Sequence, residues 1–210
     1  MTGSIDFYFD FASPYAYCAA PLAEDIAAAH GARLVWHPVL LWACRKHFGM
    51  VAPLQDGPKA DYMPLDFERS AAFHGLPFVM PPSFAKSTHA AARLFYGIAA
   101  QDGARAATRA TDFARHALSA HFGQGADLTD PATLADLAAH IGLTRSEADH
   151  LATADTSKDK LRQANDAAIA AGIWGSPFFI LDGEPFFGAD RLPQLDWRLS
   201  RRAAREKEPT

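Results

Sequence analysis

The stretch DFYFDFASPYAY, Asp6 to Tyr17, constrains the fold more than any other part of this chain. An aromatic-rich run stops at Asp10, and Ser13-Pro14 follows almost at once. This reads as a buried strand handing over to a helix. Ser13 is placed to cap the helix and Pro14 to open it, because the first helical residue has no use for its N–H. A helix N-terminus gathers unpaired N–H groups and partial positive charge, so a group held beside Ser13 is expected to be anionic or to become so during reaction. Ser13 is thus a candidate site residue, and it is a helix cap in any case.

From Pro14 to His30 the chain is rich in alanine, with Leu22 and Ile26 at helical spacing and Gly31 as the stop. Pro21 is expected to kink or divide that helix. Arg33 to Leu41 is apolar and β-branched and reads as a second strand, with Pro38 near its end. Strand, helix and strand of this length make a right-handed parallel unit. After Trp42 the pattern is mostly helical. Gly49 to Tyr62 carries Pro53, Gly57 and Pro58 and reads as a loop. Helices are expected over Asp66 to His74, from a Ser87 cap to about Ala100, over Ala104 to Phe122 and from Pro131 to Gly142. Thr144 with Glu147 forms a capping box for another. A helix then covers Lys158 to Ala171. Phe178 to Leu181 is a strand, Asp182-Gly183 a type I′ hairpin turn, Pro185 to Phe187 an edge strand, and Arg191 to about Lys207 the last helix.

Composition narrows the function by exclusion. The 210 residues carry a net charge of −4, so nothing global draws the chain to nucleic acid or to an anionic membrane. No apolar run approaches the roughly 20 residues that cross a bilayer. The first residues carry no secretory signal pattern, and the two cysteines, Cys18 and Cys44, form no CxxC, so a reducing cytoplasmic location is expected. The nine histidines show no ligand spacing, and most are expected on helix surfaces or in loops, with no metal site.

The order of elements is that of an α/β thioredoxin-like fold with an α-helical subdomain inserted in its middle. Residues 1–41 and 158–210 would form the thioredoxin-like part, and 42–157 the insertion. At this level the residues themselves become recognisable. FYFDFASPYAY, the lysine in GPKADYM, GLPFVMPPSF, and above all GIWGSPFFILDGEPFFGADRL resemble the 2-hydroxychromene-2-carboxylate isomerases, relatives of kappa-class glutathione transferases within the Dsb-type thioredoxin superfamily. The similarity runs in order over almost the whole chain.

The resemblance implies glutathione as cofactor, a small aromatic-derived enone acid as substrate, and a homodimer. Ser13 would stand where disulfide oxidoreductases carry their nucleophilic cysteine and would donate a hydrogen bond to the glutathione sulfur. Position 16 is alanine where a redox relative has its second cysteine. Ser176-Pro177 matches the cis-proline element beside the cysteinyl part, although serine stands where a small aliphatic residue is commoner. Asp190 matches the aspartate that holds the γ-glutamyl amino group, Ala189 stands where relatives often have a polar side chain, and Trp174 and Lys59 complete the cofactor side. Tyr15, Met50 and Lys59 would face the substrate. The departure is Gly49-Met50-Val51-Ala52-Pro53, where Met50 replaces an asparagine and Ala52 a proline. Methionine donates no hydrogen bond there and makes an adaptable apolar wall. Two other readings stay open: a kappa-like transferase or peroxidase, and a non-catalytic glutathione-binding module.

Overall fold

A computed structural model of the protein describes residues 3–51 and 57–205; Ala52 and Pro53 of the altered loop lie outside them. The elements are β1 (Ser4–Phe9), α1 (Pro14–Ala29), β2 (Arg33–Pro38), α2 (Leu41–His47), α3 (Pro58–Phe73), α4 (His89–Ala99), α5 (Ala106–Leu118), α6 (Pro131–Ala139), α7 (Arg145–Thr153), α8 (Asp155–Ala170), β3 (Phe178–Leu181), β4 (Glu184–Phe187) and α9 (Leu192–Arg205). The strands form one mixed sheet in the order β2-β1-β3-β4. β1 runs parallel to β2 and antiparallel to β3, with Phe7 opposite both Trp36 and Phe179. This is a thioredoxin-like α/β fold with helices inserted between β2 and β3.

β1 alternates, which fixes which side of the sheet its residues reach. Ile5, Phe7 and Phe9 are fully buried, and Phe7 stacks on Phe179 with ring centroids 4.9 Å apart and meets the edge of Trp36. Against that face lie the alanines of α1 and Leu192, Leu195 and Leu199 of α9. The other face carries Tyr8, Phe178 and Ile180 against Cys44 of α2 and Ala168 of α8. With period-two alternation, one residue of slip would exchange the two faces, so the aromatic set pins the register. The Asp182-Gly183 turn has φ of 52° and 83°, as a type I′ hairpin requires, and β4 is the edge strand. The capping box at Thr144 and Glu147 is present.

Several local expectations are corrected. Pro21 does not divide α1, which runs through it to Ala29. The proline is exposed and removes one N–H from the ladder, while Ala16, Ala19, Ala20, Ala23 and Ala27 hold the opposite face against the core. The expected loop over Gly49 to Tyr62 becomes helix at Pro58, so α3 starts eight residues before Asp66. Gly57, at φ 53°, turns the chain, and Pro58 opens the helix at its first position. α3 is anchored by the buried Phe67 and Ala71. α4 has Thr88 at its N-cap position in place of Ser87.

His121 is a buried exception among histidines most of which are expected at the surface. It sits in a π-helical turn, Ser119–Gly123, with 1% exposure, and its Nδ1–H donates to the Ala126 carbonyl at 2.7 Å. Burial pushes its pKa below the ordinary 6.5, against the opposing pull of that hydrogen bond and of Asp127. The unfolded chain therefore holds more protons than the folded one between the lowered value and 6.5. This contribution to stability is complete above 6.5 and is lost as pH falls through that window, with a slope of at most about 1.4 kcal/mol per pH unit. His121→Gln should flatten this dependence when urea midpoints are compared at about pH 7 and about pH 5. Equal losses in native protein and variant would contradict the assignment.

Candidate active site

The chain leaves β1 at Phe9 and reaches α1 through Asp10 to Ser13. Ser13 has extended backbone angles and is 7% exposed. Its Oγ accepts the Ala16 N–H at 3.2 Å and donates to the Ser176 carbonyl at 3.0 Å. The expected cap is therefore present, and the same hydroxyl also ties α1 to the segment before β3. The Ser176–Pro177 bond is cis. The Ser176 Oγ accepts the Asp10 N–H at 2.9 Å, so the two crossing segments exchange bonds in both directions.

In the sequence Asp10 marks only the end of the aromatic run and is not among the candidate site residues. In the fold it is the hub of the junction. Its Oδ1 accepts the Ala12 N–H and the Thr88 hydroxyl, each at 2.9 Å, and its Oδ2 accepts the Leu41 N–H at 2.7 Å. Thr88 thus spends its hydroxyl on Asp10 and not on capping α4. Burial raises the Asp10 carboxyl above its ordinary range despite these three donors.

Above this junction opens a cavity of about 1000 Å³. Its floor is Asp10, Ala12, Ser13, Pro14, Gly175 and Ser176, and its walls come from α2 and the following turn, from α3, and from the segment Phe84 to Thr88. The apolar lining includes Leu40, Leu41, Trp42, Met50, Val51, Met63, Phe67, Phe84 and Phe187. Among the described lining residues the cations are Arg45, Lys46, Lys59 and Lys86, and the only carboxylate is Asp10. A chain of net charge −4 thus presents a cationic cavity, which favours an anionic ligand with an apolar body.

Of the residues singled out in the sequence, Ser13, Tyr15, Met50, Lys59 and Ser176 line this cavity together. Lys59 does so from the first turn of α3 and not from a loop. Tyr15 serves as a wall, its ring edge-on to Phe67 at 5.0 Å. Its hydroxyl donates to Asp66 at 2.6 Å, and burial and that bond raise its pKa. Trp174, Pro177, Ala189 and Asp190 lie outside the lining. Trp174 packs on Phe187 at 4.1 Å, and a Cβ at Gly175 would fall 2.1 Å from that Phe187 ring, which would have to move aside. The Gly188 N–H donates to the Pro177 carbonyl at 3.0 Å, which holds the turn of Ala189 and Asp190 beside the cis-proline segment. Asp190 is exposed and pairs with Arg191 at 3.1 Å.

Arg45 was also missed. It is 8% exposed, and its Nε and Nη2 both donate to the Val51 carbonyl, at 2.9 and 2.6 Å, which fixes the wall that carries Met50. The run Arg45-Lys46-His47 was the available signal, since three basic residues end a short helix where they suit its dipole. Both cysteines are free and buried; burial pushes the Cys18 thiol up to about 12 and the Cys44 thiol up to about 11. Neither supplies a thiolate near neutrality.

The pattern of the DSBA-like thioredoxin domain matches residues 4–200. A protein of Sphingobium xenophagum named 2-hydroxychromene-2-carboxylate isomerase is 31% identical over 198 residues, 93% of this chain and 97% of that one. The chain belongs to the 2-hydroxychromene-2-carboxylate isomerase family within the DSBA-like thioredoxin proteins. A solved structure of a 2-hydroxychromene-2-carboxylate isomerase superposes on this member with a TM-score of 0.82 at 27% identity, covering 98% of this chain and all of the other. The relation to kappa-class transferases is also visible. Glutathione S-transferase kappa 1 of Caenorhabditis elegans is 33% identical over 81 residues, 38% of this chain and 36% of that one.

Proposed function

We propose that this protein is a glutathione-dependent cis–trans isomerase of 2-hydroxychromene-2-carboxylate or a related aromatic-derived enone acid. The observation that carries the reading is the floor of the cavity. A serine hydroxyl sits at a helix N-terminus against a cis-proline segment, where no thiol of the chain itself can act.

The residues present fit glutathione and an acidic substrate. The cofactor has two carboxylates and a thiol, and the cavity supplies four cations and one hydroxyl at the positive end of α1. When bound, glutathione supplies a thiolate whose reversible addition to the conjugated carbon lets the former double bond rotate, and whose departure restores it, with no net consumption. Ser13 and the end of α1 favour that thiolate over the thiol by hydrogen bonding and by the helix dipole. The Ser13 proton leaves the Ser176 carbonyl for the stronger, charged acceptor. Lys59 faces the substrate carboxylate, while Tyr15, Phe67, Phe84 and Met50 wall the ring and exclude water. Asp190 holds the γ-glutamyl amino group from the turn beside Pro177.

A second reading, a kappa-like transferase, draws on the match to the kappa-class enzyme and on Met50, which removes a hydrogen-bond donor from the substrate side. The two differ in the fate of the thiol. Incubation with the cis enone acid and a small amount of glutathione should give the trans acid in many-fold excess over glutathione, with the free thiol undiminished. Loss of free thiol in step with an electrophile would replace the isomerase with the transferase. Isomerisation at the same rate without glutathione would overturn both.

A further inference from the structure

The hydroxyl of Ser13 has a competitor for its proton in the Ser176 carbonyl, 3.0 Å away. The hydroxyl of Ser176 is placed differently. It accepts the Asp10 N–H at 2.9 Å, which fixes the orientation of the side chain, and its own proton has no acceptor among the described residues. Ser176 is 7% exposed and lines the same cavity as Ser13. A serine hydroxyl carries one donor and two acceptor positions. Here one acceptor position is filled by a rigid main-chain donor and the donor is left to the cavity. A buried hydroxyl proton with no acceptor is destabilising, and a ligand that accepts it recovers that free energy on binding.

The Ser13 hydroxyl bonds the Ser176 main-chain carbonyl, and both residues line the floor of one cavity. The geometry points to Ser176 as a second catalytic hydrogen-bond donor: its Oγ–H meets the anionic sulfur held at Ser13. This rests on the reading that a thiolate occupies that point. A thiolate accepts more than one hydrogen bond, and a donor oriented in advance by the Asp10 N–H needs no reorganisation when the charge forms. Asp10 lines the same floor, and its carboxylate, when ionised, opposes a second anion there. Two hydroxyl donors offset that opposition better than one.

The test reads the ionisation of bound thiol directly. Native protein, Ser176→Ala and Ser176→Thr are saturated with glutathione, and thiolate absorbance is followed against pH. Ser176→Ala should raise the pKa of the bound thiol by about one unit, the size of one hydrogen bond to a charged group, and Ser176→Thr, which keeps the hydroxyl, should stay near the native value. If the alanine variant does not fold, Ser176→Val fills the position with hydrocarbon and should give the same shift. A residue that merely satisfies the Asp10 N–H would alter stability or affinity in these variants and leave the bound thiol pKa where the native protein has it. That result overturns the inference, as does a threonine variant shifted as far as alanine. Failure of the native protein to bind glutathione overturns the thiolate reading, and this inference with it.

Discussion

Ser13→Ala is expected to lower kcat for glutathione-dependent isomerisation by about 10²- to 10³-fold, the usual effect of removing one preorganised donor to a reacting anion. The reason is local. The hydroxyl is buried at the floor of the cavity, and it is the side chain that the end of α1 places between the helix N–H groups and the cis-proline segment. Alanine leaves the helix dipole in place but removes the hydrogen bond to sulfur, so the bound thiol pKa should rise together with the loss of rate. The same change strips a cap from α1, which costs about 1 kcal/mol of stability. The two effects separate in measurement: urea unfolding reports the cap, and the thiolate titration reports the site. A variant with lowered stability and native turnover would reduce Ser13 to a helix cap.

Asp10→Ala should be the most damaging single change to stability near the site, with an expected loss of about 3 kcal/mol in urea unfolding. Removing the carboxylate leaves the Ala12 and Leu41 N–H groups and the Thr88 hydroxyl without their acceptor. Each such loss costs about 1–3 kcal/mol, and relief from desolvating a buried carboxylate offsets part of the sum. Because these donors belong to the junction before α1, the start of α2 and the start of α4, the damage spreads to three sides of the cavity. Asp10→Asn should fall between native protein and alanine variant, since its amide oxygen accepts at one position while its NH₂ opposes a donor at the other. A loss below about 1 kcal/mol for alanine would show that these donors find other partners, and the hub assignment would fail.

Much of this architecture was legible from neighbours in sequence, and the part that was not depends on residues far apart. The handover from β1 to α1, the Asp182-Gly183 hairpin and the Thr144–Glu147 capping box each rest on residues within a few positions, where cap and turn chemistry acts directly. The start of α3 was not legible because Gly57 and Pro58 read as breakers, while the helix is held by Phe67, Ala71 and the bond from Tyr15 to Asp66 across 51 positions. Asp10 could not be seen as a hub because Leu41 and Thr88 come to it from 31 and 78 positions away. Of the site, Ser13 was visible as the cap of α1 and Ser176 through the family pattern, whereas the cationic character of the cavity was hidden inside a chain of net negative charge.

The central claim is that this cavity holds the glutathione sulfur at Ser13, and crystals of the protein grown with saturating glutathione test it most directly. The account predicts density for the tripeptide along the cavity with its sulfur within about 3.5 Å of the Ser13 Oγ, at hydrogen-bonding distance. Density that places the sulfur away from Ser13, or a cavity without glutathione at saturation, would contradict it.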